Sequence, residues 1–217
     1  MERPLRILLV DDHEVVRRGV RALLEHQPEW VMCCEAAEGR EAVRSAVEHQ
    51  PDLVIMDIGM PRLNGFEATR QIRRRVSGVE VLILSMHESE QLIREVISAG
   101  ARGYVLKSDA GRDLVAAVSA LSRHEPFFTS AVAKKVFAET VDLKPKRGRP
   151  KASGLTPRER EVLQLVAEGL GNRAVGERLG IRLKTAETHR ARIMRKTGAS
   201  SVAELVLYAI RERIIQP

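Results

Sequence analysis

The chain has 217 residues, 44% of them apolar and 3% aromatic, and a formal net charge of +7. That length suits two domains, one medium and one small, better than one. No apolar stretch reaches the roughly 20 residues of a membrane-crossing helix, and from Met1-Glu2-Arg3-Pro4 no secretory leader is expected. The charge is divided unevenly. Residues 1–143 carry 19 Lys+Arg against 22 Asp+Glu (net −3), whereas residues 144–217 carry 17 against 7 (net +10). Cationic charge gathered in one short segment is the footprint of nucleic-acid binding. A membrane-surface helix is the rival, but Tyr208 is the one aromatic residue there to anchor it. A cytoplasmic protein that binds no membrane is expected.

Four short apolar runs, Ile7–Val10, Leu53–Met56, Val81–Leu84 and Tyr104–Leu106, read as buried parallel strands. A further strand holds Cys33 and Cys34, whose side chains should point to opposite faces as core residues of a reducing compartment. Between the strands lie amphipathic stripes: Val15, Val16, Leu23 and Leu24; Ala42, Val43, Ala46 and Val47; Leu92, Ile93, Val96 and Ile97; Leu114, Val115, Val118 and Leu121. This alternation predicts an α/β fold, a doubly wound five-stranded parallel sheet.

The strand ends carry the chemistry. Asp11-Asp12 closes the first run, Asp57 and Ser85 close two more, and Lys107 follows the last. In a doubly wound sheet, sites form outside the carboxyl ends of the strands. Three clustered carboxylates repel unless a cation joins them, and an all-oxygen set suits Mg²⁺. A carboxylate can also attack phosphorus to give an aspartyl phosphate. The lysine would neutralise the charge that builds up, and the serine would donate a hydrogen bond. Solvated loop acids beside a surface lysine are the bland alternative, which five such residues at successive strand ends make a poor one.

Residues 126–141 read as one more amphipathic helix. Composition then shifts at Lys144–Gly154, rich in Pro, Gly and cations, to a linker expected to be extended or disordered. Within it Arg147-Gly148-Arg149-Pro150 resembles an AT-hook core, which would lay two arginines in the minor groove of A·T-rich DNA. A basic tether that only attracts phosphate is the alternative.

The last 63 residues are helical in pattern. Thr156, Pro157 and Glu159 suit the N-cap, first position and reciprocal capping-box position of one helix. Helices over 172–179, 184–196 and 202–213 follow, with Gly180 and Gly198 closing two of them. Four short helices have too little core for an enzyme cleft and enough for a helix-turn-helix module.

Asp11-Asp12, Asp57-Ile58-Gly59-Met60-Pro61 with Gly65, Ser85, and Gly103-Tyr104-Val105-Leu106-Lys107 together resemble the receiver domain of bacterial two-component response regulators. Leu155–Leu163, Lys184–Arg190 and Ile193 resemble the LuxR-type DNA-binding domain. The whole chain is thus similar to NarL/FixJ-family response regulators. The domains would be a receiver at 1–124, a helical extension and basic linker at 125–154, and a helix-turn-helix domain at 155–217.

The resemblance implies that Asp57 accepts phosphate from a cognate sensor histidine kinase. Asp11, Asp12, Asp57 and Gly59 would hold Mg²⁺, while Ser85, Tyr104 and Lys107 would form the phosphoryl contacts and the switch. It implies double-stranded promoter DNA as a partner, RNA polymerase as a further candidate, a homodimer in the phosphorylated state, and no catalytic turnover. In the recognition helix, Ala186, His189 and Ile193 should face inward. Lys184, Thr185, Glu187, Thr188, Arg190, Ala191, Arg192, Arg195 and Lys196 should meet DNA, with Glu187, Thr188 and Ala191 at base edges and the cations at phosphates.

Some residues depart from the family pattern. Arg182 stands where a serine usually caps the recognition helix, Glu187 replaces a frequent lysine, and Gly171, Ala174 and Gly176 alter the preceding helix. An interior glycine costs about 1 kcal/mol of helix stability. Two other readings are distinguishable. A phosphorylation-independent DNA binder, with the receiver as dimerisation scaffold, would bind promoters unchanged after Asp57→Ala. A Mg²⁺-dependent phosphohydrolase would turn over a phosphate ester.

Overall fold

The computed structural model describes residues 3–87, 89–129, 154–212 and 214–215, which fall into two compact units, residues 1–143 and 144–217. In the first unit, strands β1 (Leu5–Val10), β2 (Trp30–Ala36), β3 (Leu53–Asp57), β4 (Glu80–Ser85) and β5 (Gly103–Leu106) alternate with helices α1 (Glu14–Leu24), α2 (Gly39–His49), α3 (Gly65–Arg75), α4 (Glu90–Ala99) and α5 (Ala110–Ser122). With a short last strand β6 (Phe127–Phe128), the sheet order is β2-β1-β3-β4-β5-β6, and every pairing is parallel.

Successive strand residues pack into two cores, as a sheet covered on both faces requires. Leu8, Val10, Val54, Met56, Val81 and Ile83 meet the apolar residues of α2, α3 and α4. Ile7, Leu9, Leu53, Ile55, Leu82 and Leu84 meet those of α1 and α5. The doubly wound parallel fold is as expected, with three differences of detail. A sixth strand, β6 (Phe127–Phe128), pairs with β5 where the start of a helix was expected. Val15 is 82% exposed, and Val20, four residues before Leu24, takes its place in the buried stripe of α1. Val47 and Ile97, the last members of their stripes, are also exposed. The remainder of the expected 126–141 helix lies outside the described residues, as does Arg147-Gly148-Arg149-Pro150.

Cys33 and Cys34 depart from strand alternation. The β1–β2 register slips between Ile7 and Leu8, opposite Met32 and Cys34, so Cys33 is an extra residue in the ladder. Trp30 and Met32 pack with the α1–α5 core, while Cys34 packs with the other. The bulge turns Cys33 beside its neighbour, and the two sulfurs lie 3.3 Å apart instead of on opposite faces.

The second unit holds α6 (Pro157–Ala167), α7 (Asn172–Leu179), α8 (Leu183–Thr197) and α9 (Val202–Arg211). Their shared core includes Leu155, Val162, Leu165, Val175, Ile193 and Leu205. The capping box forms at α6. The Glu159 N–H donates to Thr156 Oγ1 at 3.2 Å, and the Thr156 N–H donates to Glu159 Oε2 at 2.7 Å. Gly180 and Gly198 close α7 and α8 in the left-handed conformation. The departure at Gly176 has a steric reason. A Cβ there would sit 2.9 Å from the Ile181 carbonyl oxygen, so glycine lets the turn after α7 fold back against the helix.

Candidate functional site

The carboxyl ends of β1, β3, β4 and β5 meet on one edge of the sheet, as their parallel register requires. Asp57 ends β3 and is 5% exposed; Asp11 is fully buried. Lys107, just beyond β5, places Nζ 2.7 Å from Asp11 Oδ2 and 3.0 Å from Asp57 Oδ1. The β1–α1 loop is fixed from within. The His13 N–H donates to Asp11 Oδ1 at 2.9 Å, and Arg17 donates to the Asp11 carbonyl at 2.7 Å. Gly65 brings the β3–α3 loop against the site. A Cβ there would lie 2.0 Å from the Asp57 carbonyl oxygen, so only glycine permits this approach. Gly59 lies in that loop, two residues beyond Asp57.

The electrostatics lean one way. Burial raises the Asp57 carboxyl above its ordinary value; Lys107 opposes the shift, and Asp11 and Asp12 add to it. Burial lowers the Lys107 ammonium, but hydrogen bonds and attraction to Asp11 and Asp57 outweigh this and hold its pKa above that of ordinary lysine. Both shifts run toward the protonated form, and a cation among the carboxylates would oppose that of Asp57. Ligand atoms of Asp11, Asp12, His13 and Asp57 lie within 4.8 Å of one another. A hard divalent cation matches these carboxylate donors and supplies positive charge.

His13 escaped sequence reasoning. Its Nδ1 is 2.8 Å from Asp12 Oδ1 and 3.3 Å from Asp11 Oδ1. Its position directly after the acidic pair was the available signal.

Ser85 and Tyr104 are joined through one peptide. Ser85 Oγ donates to the His87 carbonyl at 3.2 Å and accepts from the His87 N–H at 3.2 Å. The hydroxyl of Tyr104, whose side chain is fully buried, donates to the same carbonyl. The expected switch pair thus converges on the His87 backbone.

In the second unit, α7, the turn at 180–182 and α8 form the helix-turn-helix. Arg182 is the N-cap of α8 and makes no side-chain cap bond, in keeping with the missing serine. Ala186 and Ile193 are buried. His189 is half-buried, and its Nδ1 is enclosed with no hydrogen-bond partner among the described residues. Lys184, Thr185, Thr188, Ala191, Arg192 and Arg195 are exposed along the helix. Glu187 pairs with Lys184 at 3.4 Å, and Arg190 donates to Asn172 Oδ1 at 3.3 Å. Lys196 ties the end of α8 to the start of α6 through Glu159, 2.7 Å away. Thirty-seven residues separate the two in sequence, and only packing reveals the pair.

A receiver followed by a helix-turn-helix module is the plan of a response regulator, and known proteins agree with it. Residues 7–119 match the family described as response regulator receiver domain. Residues 153–209 match the bacterial regulatory proteins of the luxR family. The chain is 39% identical over 211 residues to the transcriptional regulatory protein LiaR of Bacillus subtilis (strain 168), covering 97% of this chain and 99% of that one. A two-component response regulator of the LuxR family from Aurantimonas sp. SI85-9A1 superposes with a TM-score of 0.60 at 38% identity, covering 64% of this chain and 99% of its own. The RcsB–DNA complex shares the fold, with a TM-score of 0.58 at 24% identity and coverage of 96% and 98%. The chain belongs to the NarL/FixJ family of two-component response regulators.

Proposed function

We propose that this protein is a cytoplasmic regulator of transcription, switched by phosphorylation of Asp57. The carrying observation is Lys107 bridging Asp11 and Asp57 beside a serine and a tyrosine that share one carbonyl. A sensor histidine kinase presents a phosphohistidine. An Asp57 carboxylate oxygen attacks phosphorus, the N–P bond breaks, and the electron pair returns to the imidazole. Mg²⁺ held by Asp11, Asp12, Asp57 and the Gly59 carbonyl would neutralise charge on the phosphoryl group. Lys107, already against Asp57, pairs with a phosphoryl oxygen. Ser85 Oγ gives up the His87 backbone for the phosphoryl group, and Tyr104, which shares that carbonyl, is repositioned together with the loop after β4. New charge thus acts through a two-state element.

The second half of the proposal is DNA binding by α8 as a homodimer, with half-sites about one helical turn apart. Glu187, Thr188 and Ala191 face base edges; Lys184, Thr185, Arg190, Arg192 and Arg195 meet the backbone. The names of its relatives, a transcriptional regulatory protein and a regulator in complex with DNA, support this reading.

The test compares wild type with Asp57→Ala, with and without beryllofluoride and Mg²⁺, by genomic-fragment selection and sedimentation. The expected result is mimic-driven dimerisation and tighter specific binding in wild type alone. If both proteins bind alike and ignore the mimic, the receiver is a dimerisation scaffold and the phosphorylation reading fails.

A further inference from the structure

Cys33 and Cys34 have no part in the receiver chemistry, yet the bulge in β2 brings their sulfurs to 3.3 Å. Both are half-buried on the strand at the outer edge of the sheet, and both are free thiols. The chain holds no other cysteine. An uninterrupted strand would have sent the two side chains to opposite faces. The register slip therefore does more than interrupt a ladder: it builds a vicinal dithiol.

Two sulfurs in contact can close a disulfide or share a third atom. The disulfide is sterically poor. Adjacent α-carbons stand about 3.8 Å apart across a trans peptide, inside the roughly 4.4 Å lower limit of ordinary disulfides. Sharing a centre needs no such contraction. Two sulfurs each about 2.3 Å from one ion are separated by less than about 4 Å, and the observed spacing already satisfies that. Tetrahedral zinc would need further protein ligands. Among the described residues, the one cluster of three or more potential ligands is Asp11, Asp12, His13 and Asp57. The dithiol thus suits a soft centre that needs only two protein bonds and brings its own third substituent.

We propose that Cys33 and Cys34 form a binding site for a trivalent arsenical. An organoarsenous acid, R–As(OH)₂, exchanges both As–O bonds for As–S bonds. The two thiol protons leave with the hydroxides as two waters, and arsenic stays trivalent. Burial, followed by the hydrogen bond and charge of Cys33, pushes the Cys34 thiol up to about 12. A thiol with a raised pKa is slow to oxidise, and here its proton is lost only as the As–S bond forms.

The test treats the folded full-length protein with phenylarsine oxide and follows intact mass and Trp30 fluorescence, the chain's single tryptophan, on the same strand. One arsenical per chain is expected, stable in excess 2-mercaptoethanol and stripped by 2,3-dimercaptopropanol. Cys33→Ser and Cys34→Ser should each weaken binding on the order of 100-fold, because the second thiol no longer acts at high effective concentration. Wild type alone suffices to refute the idea. An adduct lost to monothiol, or one formed only after denaturation, overturns it. Zinc binding at comparable affinity overturns the two-ligand assignment.

Discussion

Replacing Glu159 separates two contributions that its carboxylate makes to the C-terminal domain. It accepts the Thr156 N–H as half of a capping box, and it pairs with Lys196 across 37 residues of sequence. Glutamine keeps the first role and loses the charge pair; alanine loses both. The Glu159 side chain is 3% exposed but that of Lys196 is 33% exposed, so solvent screening limits the pair to about 0.5–1 kcal/mol. The cap adds about 1 kcal/mol. Glu159→Gln should therefore cost under about 1 kcal/mol and Glu159→Ala about 2.

Hydrogen exchange of the full chain reads this directly, since opening free energy sets amide protection. Amides of α6 and α8 should exchange a few-fold faster in the glutamine variant and roughly 30-fold faster in the alanine variant. Receiver amides should be unchanged. Burial pushes the Glu159 carboxyl up, but the bonds from Lys196 and Thr156 outweigh it and hold its pKa below the ordinary value. The stabilisation is thus complete above the unfolded carboxylate pKa and fades as pH falls through the lower folded value. Wild-type protection in Glu159→Ala refutes the argument. So does a Lys196→Met variant that keeps α6 protected but loses a phosphate's worth of salt dependence on DNA.

Three further outcomes follow from the site geometry. Gly65→Ala should destabilise the receiver by about 1–3 kcal/mol and blunt its response to beryllofluoride, measured by thermal unfolding with and without the mimic. The folded pKa of Asp57 is raised, so its contribution to stability is present below the unfolded pKa and is lost as pH rises through the folded one. Asp57→Asn should hence raise the melting temperature at neutral pH without Mg²⁺ and abolish stabilisation by added Mg²⁺. Arg192→Gln and Arg195→Gln should each lower the salt slope of DNA binding by about one, seen in titrations at several ionic strengths; an unchanged slope removes that residue from the interface.

The strands were legible because both faces of the sheet are covered. Ile7–Val10 and Leu53–Met56 are buried without interruption, which leaves an apolar run in the sequence. The acidic site was legible for a related reason: parallel strands deliver their last residues to one edge. The Thr156–Glu159 cap is a local bond and reads directly. What stayed hidden depends on partners distant in sequence. Phe127–Phe128 are a strand because the free edge of β5 lies beside them, and two residues carry no period to announce it. The Cys33 bulge is a mismatch against β1, invisible in β2 alone. His13 and Lys196 take their roles from neighbours that only the folded chain supplies.

β6 also has a mechanical consequence. Phe128 lies in register with Tyr104, so the chain leaving α5 is laced to the strand that ends one residue before Lys107. A displacement at the Asp57–Lys107 pair therefore has a covalent and hydrogen-bonded route of one short strand to Phe128, well outside the acidic cluster.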